Sequence, residues 1–367
     1  MARKKSVKKL GILSGGGDCP GINAVIRAVV KTAILKYGMK CIGILDGYEG
    51  LIEGPRYVKL DYDSVKGLLF RGGTILGASN RANPFAYKQM VGNKVVERDM
   101  SGKVLENIDK LKLDALIVIG GDGTLTISNM LYEMGAPIVG VPKTIDNDLM
   151  ATDVTFGYDT AVNIATEAID RIQTTAESHH RVMIVETMGR YAGWIALKAG
   201  IAGGADIILI PEIPFELEKV YEAIRWREQM GRKYTIIVVA EGARTKGGRM
   251  FVKKVVKTSH DPIRLGGIGD WLARKVEKDL GLEARVTVLG HIQRGGTPTA
   301  FDRVLATRLG SAAVHAAARR EFGVMVCLRT PDIKTVPIKE AVGRIRTVDP
   351  DSDMIRAARD TGIFFGD

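Results

Sequence analysis

At 367 residues with 46% hydrophobic side chains, the sequence has the length of two domains and enough apolar surface to build a core in each. It is too long and too apolar for a disordered chain or a small disulfide scaffold. The formal net charge of +11 points to anionic partners, but beyond the first nine residues Lys and Arg are scattered, and aromatics make up only 6%. Phosphorylated metabolites therefore fit the charge better than nucleic acid, since there is no further basic run and the aromatics are too few and dispersed for a platform that stacks single strands.

In chain order, an apolar run at Leu10–Leu13 reads as a strand and leads into helical spacing over Asn23–Tyr37. Strand Cys41–Leu45 comes next. Ala115–Ile119 precedes a helix at Thr126–Glu133, and Pro137–Val141 precedes one at Thr160–Ser178. Four further strands each run toward a helix: Val182–Glu186 to Gly193–Ala202, Ile207–Ile210 to Phe215–Met230, Thr235–Ala240 to Ile268–Leu280, and Val286–Leu289 to Ala300–Phe322. Strands that are apolar on nearly every residue are covered on both faces, so the expected fold class is α/β with mostly parallel sheets. No Pro- or Ser-rich linker divides the chain, so two domains would be closely fused, with the chain free to cross between them more than once.

No run approaches the ~18–20 apolar residues of a membrane span, and the basic first ten residues lack the apolar core of a signal peptide, so a cytoplasmic location without membrane contact is expected. Cys19, Cys41 and Cys327 form no Cys-x-x-Cys pair; each reads as a small buried hydrophobe.

In open parallel sheets ligands bind beyond the C-terminal ends of the strands. Ser14-Gly15-Gly16-Gly17-Asp18-Cys19-Pro20-Gly21 follows the first strand, and its glycines let backbone N–H groups approach a phosphate. It is neither a Walker A loop nor G-x-G-x-x-G, and alone it is as readily a tight strand-to-helix turn. Ile119-Gly120-Gly121-Asp122-Gly123-Thr124 is open enough for a nucleotide phosphate, with Asp122 placed either to hold Mg²⁺ or to cap the following helix. Val141-Pro142-Lys143-Thr144-Ile145-Asp146-Asn147-Asp148 sets two carboxylates beside Lys143 and Thr144, one to take an acceptor hydroxyl's proton and one to help position metal. In isolation this segment is equally an Asx turn. Three Gly/Asp loops at three strand ends favour phosphoryl transfer. Thr187-Met188-Gly189-Arg190-Tyr191-Ala192-Gly193 and Leu289-Gly290-His291-Ile292-Gln293-Arg294-Gly295-Gly296 follow two more strands, which Arg181 and Arg285 begin. These four arginines and His291 match the needs of a sugar phosphate, since guanidinium forks fit phosphate oxygens.

The motifs Gly-Gly-Asp-x-Pro-Gly, Gly-Gly-Asp-Gly-Thr, Pro-Lys-Thr-Ile-Asp-Asn-Asp, Met-Gly-Arg-x-Ala-Gly-Trp and Gly-His-Ile-Gln-Arg-Gly-Gly, in this order from Leu10 to about Gly310, resemble the 6-phosphofructokinase family. The resemblance implies two doubly wound Rossmann-like domains with the active site in the cleft between them. The larger, donor-binding one would comprise residues 1–157 plus about 293–346, the smaller, sugar-binding one residues 158–292 plus about 347–367. It implies transfer of a phosphoryl group to the 1-hydroxyl of fructose 6-phosphate in glycolysis, with Mg²⁺ as cofactor. Asp146 falls on the proton acceptor, and Asp122 on the metal-holding acid, with Asp148 as a second contributor. Thr144, Asp146, Met188, Gly189, Arg190, Glu241, His291 and Arg294 fall on acceptor contacts, with Lys143, Thr144, Arg190 and Gly123 close to the transfer itself. Gly17, Asn80, Arg81 and Gly121 to Thr124 match donor-binding positions. Arg181 and Arg285 match arginines that reach the substrate from a neighbouring subunit, implying a homodimer or homotetramer. Pyrophosphate users carry Asp at the position of Gly123, so the open glycine implies ATP, whereas Lys143 matches a lysine typical of pyrophosphate users. ATP is therefore the expected donor, with pyrophosphate as the alternative and a non-catalytic sugar-phosphate-binding subunit as a further one.

Overall fold

A computed structural model describes residues 6–79, 82–92, 94–255 and 263–367. The first half of the chain alternates strands and helices: β1 (Lys9–Ser14), α1 (Ile22–Tyr37), β2 (Lys40–Ile44), α2 (Glu49–Ile52), β3 (Tyr57–Leu60), a hairpin of β4 (Tyr87–Val91) and β5 (Lys94–Arg98), α3 (Ser101–Lys110), β6 (Ala115–Gly120), α4 (Asp122–Glu133) and β7 (Ile138–Pro142). The long α5 (Tyr158–His179) leads to a second series: β8 (Val182–Thr187), α6 (Trp194–Ala202), β9 (Ile207–Leu209), α7 (Leu217–Gln229), β10 (Thr235–Ala240), the hairpin β11 (Val252–Val255) and β12 (Ile263–Leu265), α8 (Ile268–Leu280) and β13 (Ala284–Val288). After a 3-10 turn at Gly290–Arg294, α9 (Ala300–Arg319) carries the chain to β14 (Val324–Arg329), β15 (Asp332–Pro337), α10 (Ile338–Ala341) and α11 (Asp353–Asp360).

Two sheets result. The larger has seven strands in the order β15-β14-β7-β6-β1-β2-β3, and the smaller has four in the order β13-β8-β10-β9. All pairings in the smaller sheet are parallel, as are those linking β14, β7, β6, β1 and β2, while β3 and β15 close the larger sheet as antiparallel edges. Alternate residues of one strand enter different cores, as the two-residue period requires. Ile12 joins an apolar cluster that also takes Val185 and Ile236 of the smaller sheet, whereas Leu13 joins a second cluster on the far face of the larger sheet. Ile184 and Ile237 face a third cluster beneath α7 and α8. One continuous core thus joins the two sheets, and each sheet has a second core of its own.

The eight expected strands and seven expected helices all form, with boundaries shifted by a few residues. Helix α4 begins at Asp122, not Thr126, because the first turn needs no apolar periodicity to form. Strand β14 was not expected, yet it pairs with β7 through Val324 and Val139 inside the larger sheet. Cys19, Cys41 and Cys327 are all buried and free. Among the described residues no helix is long and apolar enough to cross a membrane.

Candidate active site

The first loop lies against the first turn of α4. A Cβ at Gly15 would stand 2.7 Å from Thr124 Cγ2, so only glycine lets the two segments close to this distance. The next strand end enters from beneath. Lys143 is 4% exposed and its ammonium donates to the carbonyl oxygen of Gly17, while its backbone N–H donates to Gly120 O at 2.9 Å. Burial holds the Lys143 ammonium below its ordinary range. Asp122 is the first residue of α4, behind Gly121 as N-cap, and its Oδ1 accepts from the Gly343 N–H at 3.1 Å. It is therefore not the helix cap.

Between β7 and α5 the run Asp146-Asn147-Asp148 divides its work. Asn147 has φ 53° and its Oδ1 accepts from the Thr155 N–H at 3.1 Å and from Arg346 Nη1 at 3.4 Å, so this residue is the structural Asx element. Asp146 is 4% exposed, its N–H donates to Thr144 Oγ1 at 3.1 Å, and its Oδ1 has no hydrogen-bond partner among the described residues. Burial first, and the Asp146 charge second, push Asp148 up to about 7. The same two causes push Glu241 up to about 7.

From the smaller sheet, the end of β8 turns sharply. Gly189 has φ 141° and Arg190 φ 54°, and a Cβ at Gly242 would fall 1.9 Å from the Arg190 carbonyl oxygen. Two side chains hold this turn by its backbone: Glu241 Oε1 accepts from the Arg190 N–H at 3.1 Å, and Gln293 Oε1 accepts from the Met188 N–H at 2.8 Å. Just upstream, the buried Glu186 accepts from the N–H groups of Gly267 and Gly269 at 3.1 and 2.8 Å, tying the start of α8 to the end of β8. Trp194, the last residue of the same motif, donates to Arg346 O at 2.9 Å and lies under its guanidinium at 4.8 Å.

Arg294 crosses from the 3-10 turn to the first loop, where Nη1 donates to Asp18 O at 3.2 Å and lies 2.9 Å from where a Gly17 Cβ would sit. Loops from both sheets therefore meet around Gly17, Lys143, Asp146, Arg190, Glu241 and Arg294. His291 belongs to the same 3-10 turn and is exposed. Arg181 and Arg285 stand apart, at the opposite, starting ends of β8 and β13, where both pair with Glu283 and Arg285 also pairs with Glu277 at 3.2 Å. Asn80 and Arg81 lie outside the described residues. Sequence reasoning overlooked Glu186, Gln293 and Arg346; Gln293 was inside a quoted motif, but nothing in its residue type announces burial. A groove of about 610 Å³ between α7 and residues 359–367 shares no residue with this site.

A model of the Phosphofructokinase family matches residues 9–317. The chain is 53% identical to the ATP-dependent 6-phosphofructokinase 2 of Clostridium perfringens over 98% of this chain and 99% of that one. It is 52% identical to the pyrophosphate–fructose 6-phosphate 1-phosphotransferase of Streptomyces coelicolor over 98% of this chain and 100% of that one. Among solved structures, the phosphofructokinase of Pichia pastoris in the T-state superposes with TM-score 0.78 at 34% identity, over 93% of this chain and 38% of that longer one. The motifs, the paired sheets and these relatives agree: the chain belongs to the phosphofructokinase family.

Proposed function

We propose that the chain transfers the terminal phosphoryl group of ATP to the 1-hydroxyl of fructose 6-phosphate, giving fructose 1,6-bisphosphate and ADP in the glycolysis of the cytoplasm. The observation that carries this reading is Asp146: a buried carboxylate with one oxygen unpartnered, at a strand end where loops from both sheets meet. In the reaction the 1-hydroxyl oxygen forms the new bond to phosphorus while the bond from phosphorus to the leaving ADP oxygen breaks. Asp146 takes the hydroxyl proton, which makes the oxygen a competent nucleophile. Thr144 Oγ1 accepts from the Asp146 N–H and so helps fix the backbone that carries the carboxylate. Arg190 and Lys143 oppose the charge that spreads over the transferring group. Met188, Gly189, Glu241, His291 and Arg294 hold the sugar phosphate, and Gly17 with Gly121 to Thr124 receives the donor phosphates.

Asp122 and Asp148 would hold Mg²⁺. Burial first, and then the negative charges of Asp146 and Asp122, raise Asp148, and clustered acids of this kind are the hard oxygen donors that suit a divalent cation. When bound, the ion neutralises donor phosphate charge. The donor reading rests on Gly123, which adds no side chain to the first turn of α4. Pyrophosphate as donor is the second reading, favoured by Lys143 and by the Streptomyces coelicolor relative's name. Arg181 and Arg285, at strand starts away from this chain's own site, would serve a neighbour's site in a homo-oligomer. Residues 1–157 with about 293–346 form the donor side and 158–292 with about 347–367 the sugar side. A coupled assay with fructose 6-phosphate and Mg²⁺, comparing ATP with pyrophosphate, tests the reading. ATP turnover upholds it, turnover with pyrophosphate alone replaces the donor, and none with either reduces the chain to a binding subunit.

A further inference from the structure

Gln293 occupies the middle of the site without a role assigned by its residue type. It is 0% exposed, its Oε1 accepts from the Met188 N–H at 2.8 Å, and its Nε2 has no acceptor among the described residues. A buried amide that leaves its donor half unused is costly, whereas a methionine of similar volume would fill the space without that cost. What the amide supplies and methionine does not is the acceptor for Met188.

That acceptor matters because of the turn it holds. Gly189 supplies a positive φ freely, but Arg190 beside it has φ 54°, a conformation that in a non-glycine residue persists only when the surroundings over-determine it. The turn's backbone has two side-chain anchors, Glu241 on the Arg190 N–H and Gln293 on the Met188 N–H. Glu241 carries charge into the site, while Gln293 is fully enclosed. Its own platform is fixed, since the next residue, Arg294, donates to Asp18 O at 3.2 Å.

We infer that Gln293 is a positioning residue for the sugar phosphate: through the Met188 N–H it sets the Met188–Arg190 turn in the geometry that grips the acceptor, without touching the acceptor itself. This rests on the assignment of that turn to fructose 6-phosphate.

The test compares Gln293→Met, which keeps volume and loses the hydrogen bond, with Gln293→Glu, which keeps an acceptor oxygen. Gln293→Asn, which withdraws the oxygen by one methylene, takes the place of Gln293→Met should that variant fail to fold. For Gln293→Met we expect KM for fructose 6-phosphate to rise about 10-fold or more, while KM for ATP stays within about twofold, and the melting temperature close to that of the wild type. Gln293→Glu recovers most of the fructose 6-phosphate KM. An unchanged KM, an equal loss for both substrates, or a Glu variant no better than the Met variant overturns the proposal. Arg190→Ala in the same assay separates the two levels. If it loses fructose 6-phosphate affinity while Gln293→Met does not, only the role of Gln293 fails; if it too binds normally, the assignment of the turn fails.

Discussion

The ammonium of Lys143 reaches under the first loop and donates to the carbonyl oxygen of Gly17, so the strand end that carries Asp146 also holds the loop that receives the donor. The lysine is buried and its charge is disfavoured there, which makes the contact a pillar of the loop and not a loose surface ion. Lys143→Met removes a charge-assisted hydrogen bond of about 1.5–3 kcal/mol, so KM for the donor is expected to rise roughly 10-fold or more, with fructose 6-phosphate less affected. Steady-state kinetics with each substrate varied in turn checks this; a loss confined to fructose 6-phosphate contradicts it.

Gly123 lies in the first turn of α4, directly after Asp122. A carboxylate placed there is favourable to the helix, because the N-terminus carries positive partial charge, so Gly123→Asp should fold normally. It would meet the phosphates of ATP with added bulk and negative charge. The expected result is a fall in kcat/KM for ATP of at least about 10-fold, the scale of one introduced like-charge contact of about 1.4 kcal/mol. ATP kinetics that stay constant would remove this position from donor selection.

The parts of the site that could be read from the sequence are contiguous: Lys143 to Asp148 and Met188 to Arg190 each sit in one short motif after an apolar run. What could not be read depends on pairing across long separations. Asp302 of α9 is fully buried and accepts from the Gly157 and Thr160 N–H groups at 2.9 and 2.8 Å, closing the start of α5. Its residue type predicts a surface acid, and only the packing of two helix starts explains its burial. Strand β14 escaped the sequence reading because its apolar run follows directly on the long helical stretch ending at Phe322, and periodicity alone does not tell such a run from a buried helix end. Asn147 shows the reverse case, since the Asx turn read as the alternative for this segment does form at that side chain.

Asp146→Ser should lower kcat by at least ~10²-fold, the usual cost of losing a general base, while the dissociation constant for fructose 6-phosphate stays close to the wild-type value. Calorimetric binding of the sugar phosphate alongside turnover separates the two. Turnover at the wild-type level would end the assignment of Asp146 as base.

Glu241 is raised from 4.5 to about 7 by burial and then by Asp146. Between those values the folded chain binds more protons at this site than the unfolded chain, so the site's contribution to stability is lost as pH rises from 4.5 through about 7 and is level above. Glu241→Gln keeps an oxygen for the Arg190 N–H and removes the charge. Relative to wild type, its melting temperature should therefore gain more at pH values above 7 than below 4.5, as measured by scanning calorimetry. An equal difference at both ends would show that the carboxyl is not perturbed by folding.

Arg181 and Arg285 both engage Glu283, at strand starts remote from the loops around Asp146, so within one chain they do not serve that chain's site. Strand β13, which carries Arg285, is the edge of the smaller sheet, and the Arg285 side chain is half exposed. If they complete a neighbour's site, Asp146→Ser and Arg285→Ala should each be nearly inactive alone, yet regain activity when the subunits are mixed and allowed to exchange. In a hybrid pair, one site combines the intact Asp146 of one subunit with the intact Arg285 of the other, while the second site carries both defects. Activity recovered on mixing, and lost again when a single chain carries both substitutions, is the expected outcome. No recovery from subunits shown to exchange would place Arg285 outside catalysis and leave its ion pairs with Glu283 and Glu277 as its role.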